Sequence, residues 1–246
     1  MPPWFAAVFA VAAAIVGVGA AVVGAGVDSV LTPLLSFEAD MRIAVLAVTA
    51  PHVAFNAIRC YGLRKSIDRK ILKRFGFTSA AGALLGSLAH QSVTSRAITI
   101  VFAVLLILAG LFGITGLSGK VKFGKRGAYA GGALSGFFGG LTGEQGGLRA
   151  AALLGFDISK EAFVATATAA ALIVDVVRAP IYVALRFHDL PQAALPAAIG
   201  TAGVVAGTFL GKRLLHEVPQ HKFERVVSVA LLVIGGLLVA RAFVEK

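Results

Sequence analysis

Residues 34–37 read Leu34-Leu35-Ser36-Phe37, and the chain repeats this stretch 119 positions later as Leu153-Leu154-Gly155-Phe156. Apolar matches alone mean little in so apolar a chain. The same offset, however, also superimposes glycines and polar residues that lie within hydrophobic stretches. These pairs are Gly17 with Gly136, Gly24 with Gly143, Thr49 with Thr168, Asn56 with Asp175 and Arg59 with Arg178. The offset predicts a duplicated unit, with a first repeat at 1–118, a basic linker at 119–126 and a second repeat at 127–246.

The composition indicates a membrane protein. Hydrophobic residues make up 58% of the chain, charged residues only 14%, and the mean hydropathy is +0.87, which a soluble domain of this size rarely shows. We expect an all-α polytopic membrane protein, because its apolar runs approach or exceed the roughly 20 residues that span a bilayer as a helix. These runs lie near 5–24, 41–63, 75–92, 97–117, 127–142, 159–184, 193–211 and 225–244.

The sequence predicts no metal site and no cofactor. A single cysteine, Cys60, excludes a disulfide framework and a cysteine-based metal cluster. No H-E-x-x-H spacing is present either.

The net charge of +11 comes from basic residues in three short connecting segments, near 59–74, 120–126 and 212–225. Short basic loops beside apolar spans mark the cytoplasmic side of a membrane. The charge therefore predicts orientation in a bilayer, and nucleic acid is not expected as a partner.

Two topologies fit the apolar runs. If all eight crossed the membrane, the halves would be parallel and the basic 212–225 loop would face outward. If each half instead opens with a glycine-rich broken or re-entrant hairpin (5–37 and 127–156), three transmembrane helices remain per half. The repeats are then inverted, and all three basic segments lie inside. We predict the inverted arrangement, although 5–24 is long enough to cross completely.

The glycines lie at the tips of these hairpins. Gly17 and Gly136 are expected to allow close helix packing. For Gly143, Gly146 and Gly147 we expect a binding loop, because a short helix beginning after such a loop presents unpaired N–H groups to an anion. Helix packing alone is the alternative for these three residues.

The glycine-rich segments resemble those of the TauE/SafE sulfite-exporter family, also known as the toluene sulfonate uptake permease family. The resemblance rests on Gly17-Val18-Gly19 and the segment from Gly24 to Leu35 in the first half, and on Gly136 to Gly147 with Leu153-Leu154 in the second. It implies a transporter of sulfite, sulfonates or related organic anions in the bacterial inner membrane. The first copy interrupts its glycines with Val27-Asp28, and the second has Ala152 in place of Pro33. These departures lie at the hairpin tips where we expect substrate to bind. The resemblance therefore does not identify which anion is the substrate.

Polar residues follow one face of the second span of each half. In the first half these are Thr49, His52, Asn56 and Arg59, and in the second Thr168, Asp175 and Arg178. Such a stripe is costly in a bilayer unless it faces protein or water. We expect Asp175 and Arg178 to reach an anion best, because arginine is a planar multidentate donor. The alternatives are a self-neutralising Asp175–Arg178 pair and, for Arg59, the edge of the basic loop.

Four further groups are candidates for coupling to protons. Asp28, Glu144, Asp175 and His52 are titratable and are expected at membrane depth. Asp28 is equally compatible with an N-cap, and His52 with a structural hydrogen bond. Arg149 is predicted to pair with Glu144, with substrate contact as its second role.

Tyr182 and His90 lie near the ends of predicted membrane spans. Tyr182 is expected to be an interfacial anchor, and His90 to have no role.

These features together favour a secondary transporter of small anions that works by alternating access, in contact with the bilayer. The alternatives are an intramembrane enzyme of the phosphatase type and an anion channel. Each tip offers one acidic residue and lacks the Ser/Arg cluster that such a phosphatase needs. A homodimer is compatible with the sequence, but no feature fixes it.

Overall fold

A computed structural model describes residues 1–23, 26–115, 125–153, 156, 158–214 and 220–244. Within these ranges the regular structure is entirely helical, as expected for backbone that must satisfy its own hydrogen bonds in lipid. The helices are α1 (Pro3–Val23), α2 (Val27–Ser36), α3 (Met41–Leu63), α4 (Arg69–Ser92), α5 (Ser95–Thr115), α6 (Lys125–Thr142), α7 (Gly146–Leu153), α8 (Lys160–Leu185), α9 (Leu190–Leu214) and α10 (Gln220–Val244), with a 3₁₀ turn at Phe187–Asp189.

The order of long and short helices is the same in the two halves of the described chain. Each half has a long helix, a short helix and three more long helices, α1–α5 and α6–α10. The chain breaks after the first helix of each half with a glycine at positive φ, Gly26 at 111° and Gly143 at 89°, a conformation that glycine adopts without steric cost. Residues 119–124 of the predicted linker lie outside the described residues, and residues 125 and 126 belong to α6.

Among the described residues, five helical segments are long and apolar enough to cross a membrane, namely Pro3–Ala21, Met41–Leu63, Ser95–Thr115, Glu161–Leu185 and Phe187–Gly211. Large apolar side chains also point away from the protein interior, among them Ile15, Phe77 and Val176, each more than 60% exposed. An apolar exterior of this extent fits contact with lipid. The protein is therefore a multi-pass membrane protein.

The first helix of each half packs against the fourth helix of the other half, α1 on α9 and α6 on α4. A Cβ atom at Gly17 would lie 2.5 Å from the carbonyl oxygen of Val204, and one at Gly136 would lie 2.0 Å from that of Ser79. Both glycines therefore bring two backbones into contact, which confirms the packing role predicted for them.

These cross-packed pairs run in the same direction. Gly200 lies beside Phe9, and Gly211, further along α9, lies beside Val18, further along α1. In the other pair, Gly140 of α6 lies against Ser87 of α4, well past the Gly136 contact. Each pair therefore forms a parallel, closely packed seam.

The short helix α7 runs back along α6. The hydroxyl of Ser135 donates to the carbonyl oxygen of Gln145 at 3.2 Å, close to the break. Further from the break, a Cβ atom at Gly131 would lie 2.6 Å from the Cβ of Ala152. Because the residue numbers diverge from the break, α6 and α7 are antiparallel.

Contacts at the two ends of the bundle give the directions of α3, α4 and α8. The Arg42 guanidinium at the start of α3 donates to the Val93 carbonyl at the end of α4. The Asp68 amide just before α4 donates to Thr166 Oγ1 near the start of α8 at 3.1 Å. Thus α3 runs opposite to α4, and α8 runs with α4.

The helix pair α5 and α10 is antiparallel. Gly110 packs against Ser228 and, earlier on α5, Ala103 approaches Gly235, later on α10. The second end of the bundle, which holds the α3–α4 loop and the start of α4, carries the exposed residues Arg64, Lys65, Arg69, Lys70, Lys73 and Arg74. We refer to it as the basic end.

Candidate functional site

A buried polar network lies where α3 and α8 cross, beside the breaks of both halves. Asp175 is its centre and is fully buried. Its carboxylate accepts from Asn56 Nδ2 at 2.8 Å and lies 2.9 Å from both His52 Nδ1 and Arg178 Nη2. The predicted Asp175–Arg178 ion pair exists, but it belongs to a network that joins the two halves. This unites four of the predicted site residues.

His52 lies between carboxylates of two different helices. Its Nδ1 faces Asp175 at 2.9 Å, and its Nε2 lies 3.3 Å from Oδ2 of Asp28 on α2. The second approach meets the distance for an ion pair but is not aligned as a hydrogen bond. Only the imidazolium form presents an N–H to both carboxylates at once. His52 is therefore placed to hold or pass a proton between them.

Asp28 does not cap α2, contrary to one of the two roles considered for it. The N-cap residue is Gly26, which has no side chain, and Asp28 lies within the first turn of the helix. The carboxylate is only 4% exposed and faces His52. A carboxylate in the first turn of a helix interacts favourably with the helix dipole. Through its approach to His52, Asp28 also belongs to the buried network.

Glu144 links the break of the second half to α2 of the first. Its carboxylate accepts from the hydroxyl of Ser29 and, at 2.9 Å, from the amide of Gly146. The predicted pairing with Arg149 is wrong, since no ion pair joins them in the described structure. Glu144 satisfies an N-terminal amide of α7 itself, where an anion was expected.

Arg149 and Gln145 are buried donors with unused capacity. Within the described residues, Nη1 of Arg149 and both amide atoms of Gln145 have no hydrogen-bond partner. The two side chains are 6% and 2% exposed, and buried polar groups without partners are costly. Gln145 also lines a cavity of about 10 Å³ against α5, close to the smallest space that holds one water molecule. Sequence reasoning missed Gln145; its position between two candidate residues was the available signal.

Arg59 and Arg178, which the 119-residue offset superimposes, both donate hydrogen bonds to backbone carbonyls near the C-terminal end of a helix. Arg178 Nη1 donates to the carbonyl of Gly139 at 3.0 Å, and Arg59 Nη1 donates to those of Ala20 and Ala21 at 3.1 and 2.7 Å. A cation at a helix C-terminus satisfies free carbonyls and suits the dipole. Arg59 is therefore neither part of the central network nor a solvated edge residue.

The two threonines of the polar stripes bond within their own helices. Thr49 Oγ1 donates to the Val45 carbonyl and Thr168 Oγ1 to the Val164 carbonyl, each at 2.8 Å. This local bond satisfies a hydroxyl inside an apolar helix. The hydroxyl oxygens can still accept, but their protons are committed.

The three glycines expected in a binding loop have different surroundings. Gly143 has positive φ, and a Cβ atom there would lie 3.1 Å from Arg178 Nη1, so the loop approaches the guanidinium closely. Gly146 gives its amide to Glu144. At Gly147 a Cβ atom would lie 3.2 Å from that of Ala109 on α5, which indicates helix packing.

Tyr182 and His90 differ from expectation. Tyr182 is 1% exposed, and its hydroxyl donates to the Gly140 carbonyl, so it is not an interfacial anchor. His90 is also buried, with Nδ1 at 2.7 Å from the Leu141 carbonyl oxygen, and its ring packs against Tyr182. Both side chains satisfy carbonyls near the end of α6.

A family model described as sulfite exporter TauE/SafE matches residues 9–238, nearly the whole chain. No curated protein and no solved structure matches this chain. The family is one of transporters, which excludes the intramembrane enzyme considered above. The chain therefore belongs to the sulfite exporter TauE/SafE family of membrane transporters.

Proposed function

We propose that the protein is a secondary transporter of sulfite, a sulfonate or a related small organic sulfur or carboxylate anion in the bacterial inner membrane. The observation that carries the proposal is the buried network of Asp28, His52, Asn56, Asp175 and Arg178 at the meeting of two broken helices. Glu144 is connected to it through Ser29, whose hydroxyl donates to Glu144 and whose amide donates to Asp28. Substrate sites of transporters with repeated halves lie at such breaks near the middle of the bilayer.

The donors for an anion are Arg178, Arg149 and Gln145. Arg178 offers a planar guanidinium beside the Gly143 loop, and the other two have unused donor groups. A sulfonate or carboxylate oxygen accepts two parallel N–H groups from a guanidinium. To bind an anion in this way, Arg178 must weaken its ion pair with Asp175. The substrate and the Asp175 carboxylate therefore compete for the same guanidinium.

The charges of the network support coupling to protons. Asp28, Glu144 and Asp175 bring three negative charges when ionised, and Arg149 and Arg178 bring two positive ones. One proton, on His52 or on a carboxylate, makes this set neutral. An entering anion adds a negative charge in a dry site, where uncompensated charge is expensive. Uptake of a proton with the anion would keep the charge of the site constant.

We further propose that the repeats are inverted, each starting with a re-entrant hairpin. The antiparallel course of α7 along α6 supports this arrangement. So do the opposite directions of the α1–α9 and α4–α6 seams. Helix α1 runs with α3, because Phe9 and Pro51 both lie beside Gly200 and Ala20 accepts from Arg59, whereas α3 runs opposite to α4. The basic end then faces the cytoplasm, in agreement with the positive-inside rule. Alternating access would move one seam against the other around the buried network.

An occluded transporter fits the burial of the network better than an open channel does. Its residues Asp28, Asn56, Asp175 and Arg178 are at most 4% exposed. A conducting pore needs a continuous water path past its selective groups. Transport therefore requires a conformational change that opens the site.

Counterflow in proteoliposomes tests the function. Vesicles loaded with unlabelled sulfite should accumulate ³⁵S-sulfite from outside, because an exchanger couples the two fluxes. Methanesulfonate, acetate and chloride as competitors would define the substrate class. Accumulation no greater than in protein-free vesicles for every anion tested would contradict anion transport, and a flux that persists without countersubstrate at channel rates would favour a channel.

A further inference from the structure

The start of α4 concentrates positive charge where a helix tolerates it least. Arg69, Lys70, Lys73 and Arg74 lie in its first two turns, and the acidic N-cap Asp68 is already bonded to two amides of that turn. Cations are unfavourable at a helix N-terminus. In the described structure no ion pair engages any of these four basic side chains, and all are exposed.

Two grooves flank Phe77, one turn further along α4. Their volumes are about 840 and 430 Å³, and both are lined by Lys73 and Phe77. The Phe77 ring is 75% exposed between them. Besides Phe77 and basic residues of α4, the larger groove is lined by Asp68, Ile71, Tyr129, Phe156 and Ile158, and the smaller by Leu72, Gly76, Ala80 and Ile173. The Asp68 carboxylate is already bonded to two amides of α4.

This arrangement is complementary in shape and charge to an anionic phospholipid. A phosphate at Lys73 and Arg74 lies at the basic end, and two acyl chains pass on either side of Phe77 toward the interior of the bilayer. At Gly76 a Cβ atom would lie 2.8 Å from Ile173 Cδ1, so this glycine lets α8 approach α4 closely where both line the smaller groove. Basic pockets between membrane helices on the cytoplasmic side are suited to such headgroups. We propose that these two grooves hold one anionic phospholipid, with its phosphate at Lys73 and Arg74.

The test measures binding of short-chain lipids to the purified full-length protein in a neutral detergent. Dioctanoyl phosphatidylglycerol should bind about tenfold more tightly than dioctanoyl phosphatidylcholine. The double substitution Lys73→Gln/Arg74→Gln should weaken phosphatidylglycerol binding about 25-fold, from roughly fivefold for each basic residue. Phe77→Ala should weaken it as well, because each acyl chain loses an aromatic wall.

Arg64→Gln/Lys65→Gln is the matched control, because it removes the same two charge types from exposed positions at the same end. Its phosphatidylglycerol affinity should stay near that of the unmodified protein. Equal losses in both double variants would reveal diffuse surface charge and overturn the site. Equal binding of phosphatidylcholine, or inorganic phosphate binding as tightly as phosphatidylglycerol, would overturn it too. Unchanged affinity in Phe77→Ala would overturn the placement of the chains.

Discussion

At the scale of single residues, equivalent positions in the two halves of the chain make partly different contacts. Arg59 and Arg178 both hold the end of a broken helix through its carbonyls. Only Arg178 also reaches the central network, because the second half has Asp175 where the first has Asn56. The imidazole of His52 comes from the first half alone, since its equivalent is an alanine. The site is therefore asymmetric although the scaffold is repeated.

Arg178→Lys should lower anion affinity about 10- to 100-fold, the range expected when one charged hydrogen bond worth roughly 1.5–3 kcal/mol is lost. An ammonium cannot make the two parallel bonds of a guanidinium. Isothermal titration of sulfite, or of the anion that counterflow identifies, measures the change. Arg178→Ala should abolish binding while the protein remains inserted in the membrane.

Arg59→Lys is the control for this prediction, because it alters the equivalent helix-end contact outside the network. It should lower thermal stability and leave anion affinity unchanged. If both lysine variants lost affinity equally, the arginines would act only through the helix ends, and direct contact of Arg178 with substrate would be wrong.

Asp28→Asn should retain anion exchange and lose the response to a pH gradient. Asparagine keeps the size of the side chain and can still face His52, but it cannot carry a proton. The measurement compares sulfite counterflow with sulfite accumulation driven by an imposed pH gradient.

Asp40→Asn provides the comparison for Asp28→Asn. Asp40 caps α3 through a bond to the Arg42 amide, away from the network, and asparagine retains such a cap. This variant should keep both activities. Full gradient-driven accumulation in Asp28→Asn would assign the proton to another group, with Glu144→Gln and His52→Gln as the next variants. If sulfite accumulation by the wild-type protein did not depend on the pH gradient, the proposal of proton coupling would be wrong.

At the scale of helices, the glycine seams determine how closely α1 meets α9 and α6 meets α4. Gly136→Ala would place a Cβ atom 2.0 Å from a backbone oxygen of α4. Backbone cannot move as a side-chain tip can, so we expect destabilisation of about 1–3 kcal/mol. Thermal unfolding in detergent would show this as a lower melting temperature.

Gly236→Ala is the matched substitution in an open position. It also lies within a long helix, α10, and nothing lies within 4 Å of its Cβ position. Alanine should be neutral or slightly stabilising there, because it is the better helix former by roughly 1 kcal/mol. Equal melting temperatures for the two variants would contradict a tight α4–α6 seam.

The helices, their duplication and much of the central network could be predicted from sequence, because these depend on local pattern. His52 and Asn56 follow from helical spacing within α3, and Asp175 and Arg178 from helical spacing within α8. Ser29 could not be identified, since its bond to Glu144 joins two helix breaks far apart in the chain. Gln145 was missed although it lies between candidate residues in the sequence. Tyr182 was wrongly placed at the interface, because the α6 carbonyl that accepts its hydroxyl bond lies 42 positions away.

At the scale of the whole molecule, the exposed basic residues of the α3–α4 loop and of the start of α4 lie together at the basic end of the bundle. The Gln91 side chain donates to the Leu185 carbonyl at 2.5 Å, so the loops at 91–96 and 186–191 lie together at the end opposite the basic one. If the repeats are inverted, both loops are extracellular. This can be tested with single cysteines introduced after Cys60→Ala removes the native thiol.

Ser92→Cys and His188→Cys should both react with an impermeant maleimide added to intact cells. Both positions are exposed, whereas the neighbouring Asp189 is engaged by Arg186. Lys65→Cys, exposed at the basic end, should react only after the membrane is permeabilised, because basic loops are retained on the cytoplasmic side. Labelling of Ser92→Cys and His188→Cys from opposite sides would indicate parallel repeats. In that case α1 and α6 could not both begin re-entrant hairpins, and a site built on two such breaks would lose its structural basis.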